Sequence, residues 1–279
     1  MLQNKRFQLL LAFCLAFLLS VLAVFDTVDT PSERYLEQSL QRALIAFGTA
    51  RALNGVISVA QGTELSLEPA GVGVNFAPGE ILDPINDLIE RFSWVMLAAS
   101  SSLGVQKLML SIGSWWPVTA LLLGCLLAAV WGLWRGTWQQ PWFRRIVGRL
   151  LLLSLVLRFA VPLMSIGGEI IYQQFLSPQY EEASAKLEET RVEVDLLNSS
   201  LKAESEEKQG LFSRLGSFAT EVGDWRENLD EYQAAAESAT RSALDLIVIF
   251  VFQTAVLPLL FGWWLLTWVK GWFRRAGDS

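Results

Sequence analysis

Apolar residues recur along residues 174–243 at alternating intervals of three and four positions, which is the spacing of a coiled-coil helix. One series begins at Tyr180 and the other at Ala183. The pattern is interrupted only by Thr190, Glu204 and Lys208. Because long apolar stretches lie on both sides of this segment, the pattern predicts a helical element whose two ends meet a membrane.

A single straight helix of this length would extend about 105 Å at 1.5 Å per residue, so we expect the segment to double back as an antiparallel hairpin. The polar run from Glu204 to Lys208, followed by Gly210, is the predicted turn. A turn centred near Glu206 pairs Leu187 with Trp225, whereas a slip of one heptad centres the turn near Gln209 and Gly210. A parallel coiled coil between subunits is a further alternative. The predicted hairpin interface consists of Leu187, Val194, Leu197, Leu201, Leu211, Leu215, Phe218, Val222 and Trp225.

Four apolar stretches are long enough to cross a bilayer, which predicts a multi-pass membrane protein dominated by α-helices. They lie within residues 1–26, 113–134, 150–173 and 244–279, and tryptophans at the ends of the later stretches are typical of membrane interfaces. The first stretch is expected to remain as a transmembrane helix. The alternative is a signal peptide that is cleaved after Ala23.

Residues 27–112 are predicted to form a small α/β element between the first two spans. A capping box with Pro31 at the first helical position starts a helix that Gly55 is expected to end. Alternation around Leu65–Leu67 and again at 72–76 predicts a short β-hairpin, with its turn at residues 68–71. Asp83 followed by Pro84 predicts the start of a second helix.

Residues 92–112 carry a single charge, Lys107, and could be taken for a span. A crossing here would place the arginines of the following loop on the outer side, against the positive-inside tendency. We therefore favour an amphipathic or re-entrant segment, which leaves a crossing as the alternative. The residues that could line a re-entrant segment are Ser100, Ser101, Ser102 and Gly104.

Charge is unevenly distributed and predicts the orientation in the membrane. Residues 174–243 carry 15 acidic and 7 basic side chains, whereas the loop 135–149 has four arginines and the tail after residue 269 is basic. Basic segments favour the cytoplasm, so both termini are predicted inside and the hairpin outside. A bacterial inner membrane, with the hairpin in the periplasm, is the expected location.

Arg158 falls near the middle of the third predicted span. A charge at this depth costs about 2.5–3.5 kcal/mol on insertion scales, so the side chain should face a protein partner. Continuing the hairpin pairing into the membrane places Arg158 beside Gln253 and Thr254 of the last span. This predicts a polar clamp, with a role in an ion path as the alternative.

The residue inventory gives no indication of catalysis. Histidine is absent, and the two cysteines, Cys14 and Cys125, lie within apolar stretches. No cofactor, metal or catalytic residue is predicted, and an acidic arm is unsuited to nucleic acid. We expect a structural or interaction protein of the lipid bilayer whose hairpin binds further copies or another membrane or periplasmic protein. The alternative is a subunit of an oligomeric channel or transporter.

Overall fold

The computed structural model describes residues 2–25, 27–61, 65–67, 74–76, 79–207 and 218–277. These residues form eight α-helices: α1 (Leu2–Val24), α2 (Asp29–Gln61), α3 (Gly79–Ser114), α4 (Trp116–Arg135), α5 (Pro141–Ile171), α6 (Ser177–Glu207), α7 (Phe218–Val251) and α8 (Leu257–Gly277). Two three-residue strands, β1 (Leu65–Leu67) and β2 (Val74–Phe76), pair antiparallel with Leu65 opposite Phe76. The predicted turn at 68–71 lies outside the described residues. The architecture is therefore helical.

Four helical runs in the described part of the chain are long and apolar enough to cross a membrane. They are Asp83–Ser114, Trp116–Arg135, Pro141–Leu196 and Ala234–Gly271. A fifth crossing is possible if Phe13–Val24 and Asp29–Ser58, which meet at 45°, form one bent span. Three runs contain predicted spans, and these runs make the chain a multi-pass membrane protein. The remaining run, Asp83–Ser114, includes residues 92–112. Its length and composition allow a membrane crossing, which is the alternative that the sequence interpretation did not favour.

The chain divides into two compact units. Unit 1 comprises Met1–Gln41, Ser101–Gln173 and Gln253–Ser279, and unit 2 comprises Arg42–Ser100 and Gln174–Phe252. Each unit is assembled from segments that are distant in sequence, so neither corresponds to a single stretch of the chain.

Unit 2 buries residues at alternating three- and four-residue intervals on each of its long helical segments, the spacing of helices in left-handed bundles. In α6 the buried positions are Tyr180, Ala183, Leu187, Thr190 and Val194. In α7 they include Ala236, Ala239, Ala243, Leu246 and Phe250. The same spacing occurs in α2, at Ala43, Ala46, Ala50, Leu53 and Ile57, and in α3, at Ile89, Phe92, Met96 and Ala99. The sequence interpretation predicted a heptad repeat only in the hairpin, although it placed Ile89, Phe92 and Met96 of α3 on one apolar face.

Helices α6 and α7 pack against each other, but in a different register from the predicted one. The run from Glu204 to Glu207 is helical, so the connection falls within residues 208–217, outside the described residues. Gln179 and Lys186 of α6 line one groove with Asp245 and Ser238 of α7. A turn at Glu206 would instead have placed Lys186 near residue 226. Glutamate and lysine are good helix formers, which explains why the polar run continues the helix.

Two residues of the predicted hairpin interface have described side chains, and both are buried. Leu187 is 1% exposed and Val194 is 3% exposed, as the predicted interface requires. Leu211 and Leu215 lie outside the described residues. The same holds for the side chains of Leu197, Leu201, Phe218, Val222 and Trp225, so their place in the interface stays a prediction.

Unit 1 is organised around α5. This helix packs against α4 and α8, and α1 packs against α4. Phe159 of α5 forms a hydrophobic cluster with Ala23 of α1 and with Leu122 and Leu126 of α4. At Gly113 of α3, an added Cβ would overlap the Leu157 carbonyl oxygen, so α3 and α5 approach each other closely at this glycine.

A π-helical turn interrupts the helix at Tyr172–Leu176 and again at Phe252–Val256. Each turn ends two residues before a proline, Pro178 in the first case and Pro258 in the second. Proline has no N–H for the carbonyl four residues earlier, and its ring crowds that carbonyl. The wider turn relieves this crowding, so the two prolines explain both irregularities.

Two predicted helix boundaries are wrong. Helix α2 continues past Gly55 to Gln61, and α3 starts at Gly79 with Pro84 inside it. A single glycine costs a helix only about 1 kcal/mol. Pro84 is the sixth residue of α3, so it removes one hydrogen bond, the one to the Glu80 carbonyl, without ending the helix. Burial of Leu53 and Ile57 outweighs the penalty at Gly55.

Candidate functional site

The most buried charge among the described residues is Arg158, whose side chain is 1% exposed. Its Nη1 atom donates to Asp29 Oδ1 at 2.6 Å, and Nη2 donates to Asp29 Oδ2 at 2.5 Å. Nη2 also donates to the carbonyl oxygen of Ala23 at 2.9 Å. The guanidinium therefore makes a two-pronged ion pair, the strongest geometry available to arginine and a carboxylate.

The pair joins two helix ends. Ala23 lies in the last turn of α1, where carbonyls have no partner within the helix, and Asp29 is the first residue of α2. A cation is favourable at a helix C-terminus and an anion at an N-terminus. Arg158 thus satisfies a carbonyl at one end and the carboxylate at the other, which stabilises the break between α1 and α2.

The break lies deep in unit 1. Phe159, next to Arg158, packs on Leu122 and Leu126, which are the seventh and eleventh residues of the 20-residue helix α4. At 1.5 Å per residue these positions are about 9–15 Å from the start of α4. If α1 and α2 form one bent span, its bend therefore falls near mid-membrane, where backbone groups without partners are costly.

The predicted partners of Arg158 are not the observed ones. Gln253 is 3% exposed, and neither atom of its side-chain amide has a hydrogen-bond partner among the described residues. The Thr254 carbonyl accepts from Ser102 Oγ at 3.1 Å. Pro258 cannot donate to this carbonyl, so Ser102 supplies the missing hydrogen bond. The prediction failed because it extended the hairpin register into the spans, and that register was itself wrong.

Helices α2 and α5 remain in contact beyond the ion pair. The single hydroxyl proton of Ser32 is shared between the carbonyl oxygen of Val28, at 2.6 Å from Oγ, and that of Pro162, at 3.3 Å. One turn further on, an added Cβ at Gly168 would lie 2.7 Å from the Tyr35 hydroxyl oxygen. Both residue numbers increase along these contacts, so α2 and α5 run parallel.

A second ion pair joins α2 to α3. Lys107 Nζ donates to Glu37 Oε2, and both side chains are about two-fifths exposed (38% and 43%). Lys107 is the only charged residue of 92–112, so Glu37 supplies the counter-charge for this stretch.

The predicted re-entrant lining lies on an unbroken helix. Ser100, Ser101, Ser102 and Gly104 all fall within α3, which shows no interruption from Gly79 to Ser114. Ser100 Oγ donates to the Met96 carbonyl of its own helix at 2.8 Å, while Ser102 bonds to Thr254. A re-entrant segment must change direction, so this form of the prediction does not fit. An amphipathic helix or a crossing is what remains.

Asp29 is the residue that sequence reasoning missed. It was assigned to the outer side because it precedes the capping box at Thr30 and follows the first apolar stretch. A signal was present, since a mid-membrane arginine needs a carboxylate and Asp29 lies close to the end of a predicted span. Which carboxylate it is depends on how α1, α2 and α5 pack.

Comparisons with protein-family models, with curated proteins and with solved structures give no match. Over the described residues, no three His, Cys, Asp or Glu side chains cluster as a metal site would require.

Proposed function

We propose that the protein is an integral membrane structural or interaction protein. It presents an acidic coiled-coil hairpin, built from α6 and α7, on the outer side of the membrane for self-assembly or for binding another protein. A small α/β element formed around β1 and β2 belongs to the same side, and both termini lie in the cytoplasm. The proposed location is a bacterial inner membrane, with the hairpin in the periplasm.

The observation that carries this proposal is the division of α6 into two faces. Its inner face is buried at heptad spacing, as described above. The outer face carries Glu181, Glu189 and Glu193, all exposed, and Val192 and Leu196 lie exposed among them at 43% and 65%. A helix that is already packed on one side and keeps apolar residues exposed on the other is suited to hold a partner.

Site-specific photocrosslinking in intact cells tests the proposal. A photoreactive residue at Val192 or Leu196 should form discrete adducts with a second copy or with a partner. The matched control is the same residue at Leu163, which is 55% exposed but belongs to a predicted span and should label lipid. If both α6 positions give no adduct in correctly folded protein, the interaction role is wrong.

The alternative function is a subunit of an oligomeric channel or transporter. The break between α1 and α2 favours it, because discontinuous helices with charges at their ends form substrate sites in many transporters. Against it, Arg158 is occupied by Asp29 and Ala23. Ion flux into liposomes that contain the purified protein separates the two functions. A conduit should carry flux, whereas a scaffold should not exceed empty liposomes.

A further inference from the structure

The surface of α5 that faces α2 carries a row of polar side chains beyond the ion pair. Arg158, Pro162, Ser165 and Glu169 recur at intervals of four, three and four, which places them on one face of the helix. The face of α2 that lies toward α5 carries the buried residues Asp29, Ser32 and Ser39, with Leu36 between the two serines. We call this strip between α2 and α5 the polar seam.

Three atoms of the polar seam are buried without a hydrogen-bond partner among the described residues: Arg158 Nε, Ser165 Oγ and Glu169 Oε2. Ser165 is 0% exposed. Buried polar atoms in folded proteins nearly always have a partner, which is water where no protein group is available. All three atoms belong to one helix face, so one chain of water molecules can serve them.

The seam has a closed end and an open end. Arg158 closes it, since its Nη atoms are held by Asp29 and Ala23. At the other end Glu169 Oε1 accepts a hydrogen bond from Gln173, which is exposed. The end of the strip beside Gln173 is therefore open to solvent.

The charges of the seam favour cations. Arg158 and Asp29 neutralise each other, which leaves the Glu169 carboxylate as the net charge of the strip. Its free oxygen and the Ser165 hydroxyl lie one helical turn apart, and both are oxygen ligands of the kind that small cations prefer. We propose that the polar seam is a hydrated site, closed at Arg158, that accepts small monovalent cations.

This inference does not depend on the proposed function, because a closed site can exist in a scaffold as well as in a transporter. The probe is the silver ion, a small cation that replaces the proton of a thiol to give a sulfur–silver bond. Cys14 and Cys125 are first replaced by alanine. Ser165→Cys then introduces a thiol of almost the same size as the serine hydroxyl group.

The matched control is Leu163→Cys on the same helix. Leu163 is 55% exposed and apolar, and it lies two residues, or about 3 Å, from Ser165 along the axis. In lipid its thiol stays protonated and unreactive. Both variants are placed in nanodiscs, pulsed with silver nitrate, quenched, denatured and labelled with a fluorescent maleimide that counts the remaining thiols.

The expected result is that silver blocks Cys at 165 at least tenfold faster than Cys at 163. Adding Glu169→Gln should lower the rate at 165 several-fold because the attracting charge is lost. Equal rates at 165 and 163 would disprove the hydrated seam, and a rate at 165 unaffected by Glu169→Gln would disprove its preference for cations. If Ser165→Cys fails to elute as folded protein, Ser39→Cys on the α2 side takes its place, with the same two criteria.

Discussion

The residues that determine the interior of unit 1 are a charge pair and a few glycines. Arg158 and Asp29 neutralise each other where neither could remain alone, since an unpaired charge in this environment costs several kcal/mol. Gly113 and Gly168 allow α3 and α2 to approach α5 because a side chain at either position would overlap its neighbour. Polar matching and close approach are what hold helices together where lipid removes the hydrophobic driving force.

Asp29→Asn should destabilise the protein. The substitution keeps the size of the side chain but leaves Arg158 buried without its counter-charge, a change that typically costs about 3–5 kcal/mol. Arg158→Leu alone should be similarly harmful, because it leaves Asp29 unpaired. Unfolding in detergent, followed by tryptophan fluorescence during an SDS titration, measures the effect.

Two controls accompany this test. Asp87→Asn removes the carboxylate of an exposed pair, in which Arg91 is 77% and Asp87 67% exposed, and should change stability by less than about 1 kcal/mol. The double variant Asp29→Leu with Arg158→Leu should recover most of the loss, since apolar pairs often replace buried ion pairs without cost. If the double variant loses as much stability as the single variants, the hydrogen bond to Ala23 matters more than the ion pair.

Gly113→Ala should also destabilise the protein, by forcing α3 away from α5 at Leu157. The rigid backbone carbonyl there cannot move as a side chain can, so a loss of about 1–3 kcal/mol is expected, as for overpacking. Gly104→Ala is the control on the same helix, because an added Cβ meets nothing within 4 Å. It should be neutral or stabilising, since alanine favours the helix. The same SDS titration compares the two, and equal losses would refute the close approach.

At the scale of elements, long helices are shared between the units. Helix α2 begins at the ion pair in unit 1 and continues into unit 2, and α3 does the same in the other direction. Helix α6 continues to Glu207, past the start of the predicted turn at Glu204. The first polar run therefore does not set the length of this arm.

Disulfide trapping distinguishes the three registers of the hairpin. Ala183 and Ser242 line the same groove, so cysteines at these positions should crosslink upon mild oxidation. A turn at Glu206 would instead pair residue 183 with Leu229, and a turn near Gly210 would pair it with Ala236. Non-reducing gels of the three double-cysteine variants give the answer. Preferential crosslinking of Ala183 with either of the latter would refute the observed register.

The N-terminal helix should stay attached to the mature protein. Ala23, the residue before the alternative cleavage point, is 3% exposed and its carbonyl is held by Arg158. Cleavage would remove the α1 side of the cluster with Leu122 and Phe159. Intact-mass spectrometry of protein purified from membranes checks this. A mass that corresponds to a chain starting at residue 24 would show that α1 is a signal peptide.

At the scale of the whole molecule, the charge distribution predicts the orientation in the membrane. Arginines at 135–149 and the basic tail are expected inside, and the acidic arms outside. A reporter fused at Gln209 should therefore be active on the outer side only, whereas reporters at Gln140 and Ser279 should be active inside. An inside signal at Gln209 would overturn the orientation. A reporter at Gly79 adds a test of α3. With Gln140 inside and α4 crossing once, an outside signal at Gly79 means that α3 does not cross, and an inside signal means that it does.

The sequence by itself determined the features that depend on local spacing and on transfer to lipid. Apolar length identified the multi-pass membrane protein, and the three-four spacing placed the buried positions of α6 at Tyr180, Leu187 and Val194. Both follow from the residues within one helix. The need of Arg158 for a partner was likewise evident, because the cost of a buried charge does not depend on the fold.

Only the tertiary structure decided which groups meet. Asp29 lies 129 positions from Arg158 in the chain, and the pair exists because α1 ends, and α2 begins, beside α5. The register of α6 on α7 depends on the sum of many similar contacts, which a one- or two-heptad slip would almost preserve. The break between α1 and α2 is likewise stabilised by a side chain from another helix. The spacing of residues within a helix determines which side chains that helix must bury. Which of several nearly equivalent partners covers them is decided by how all the helices pack together.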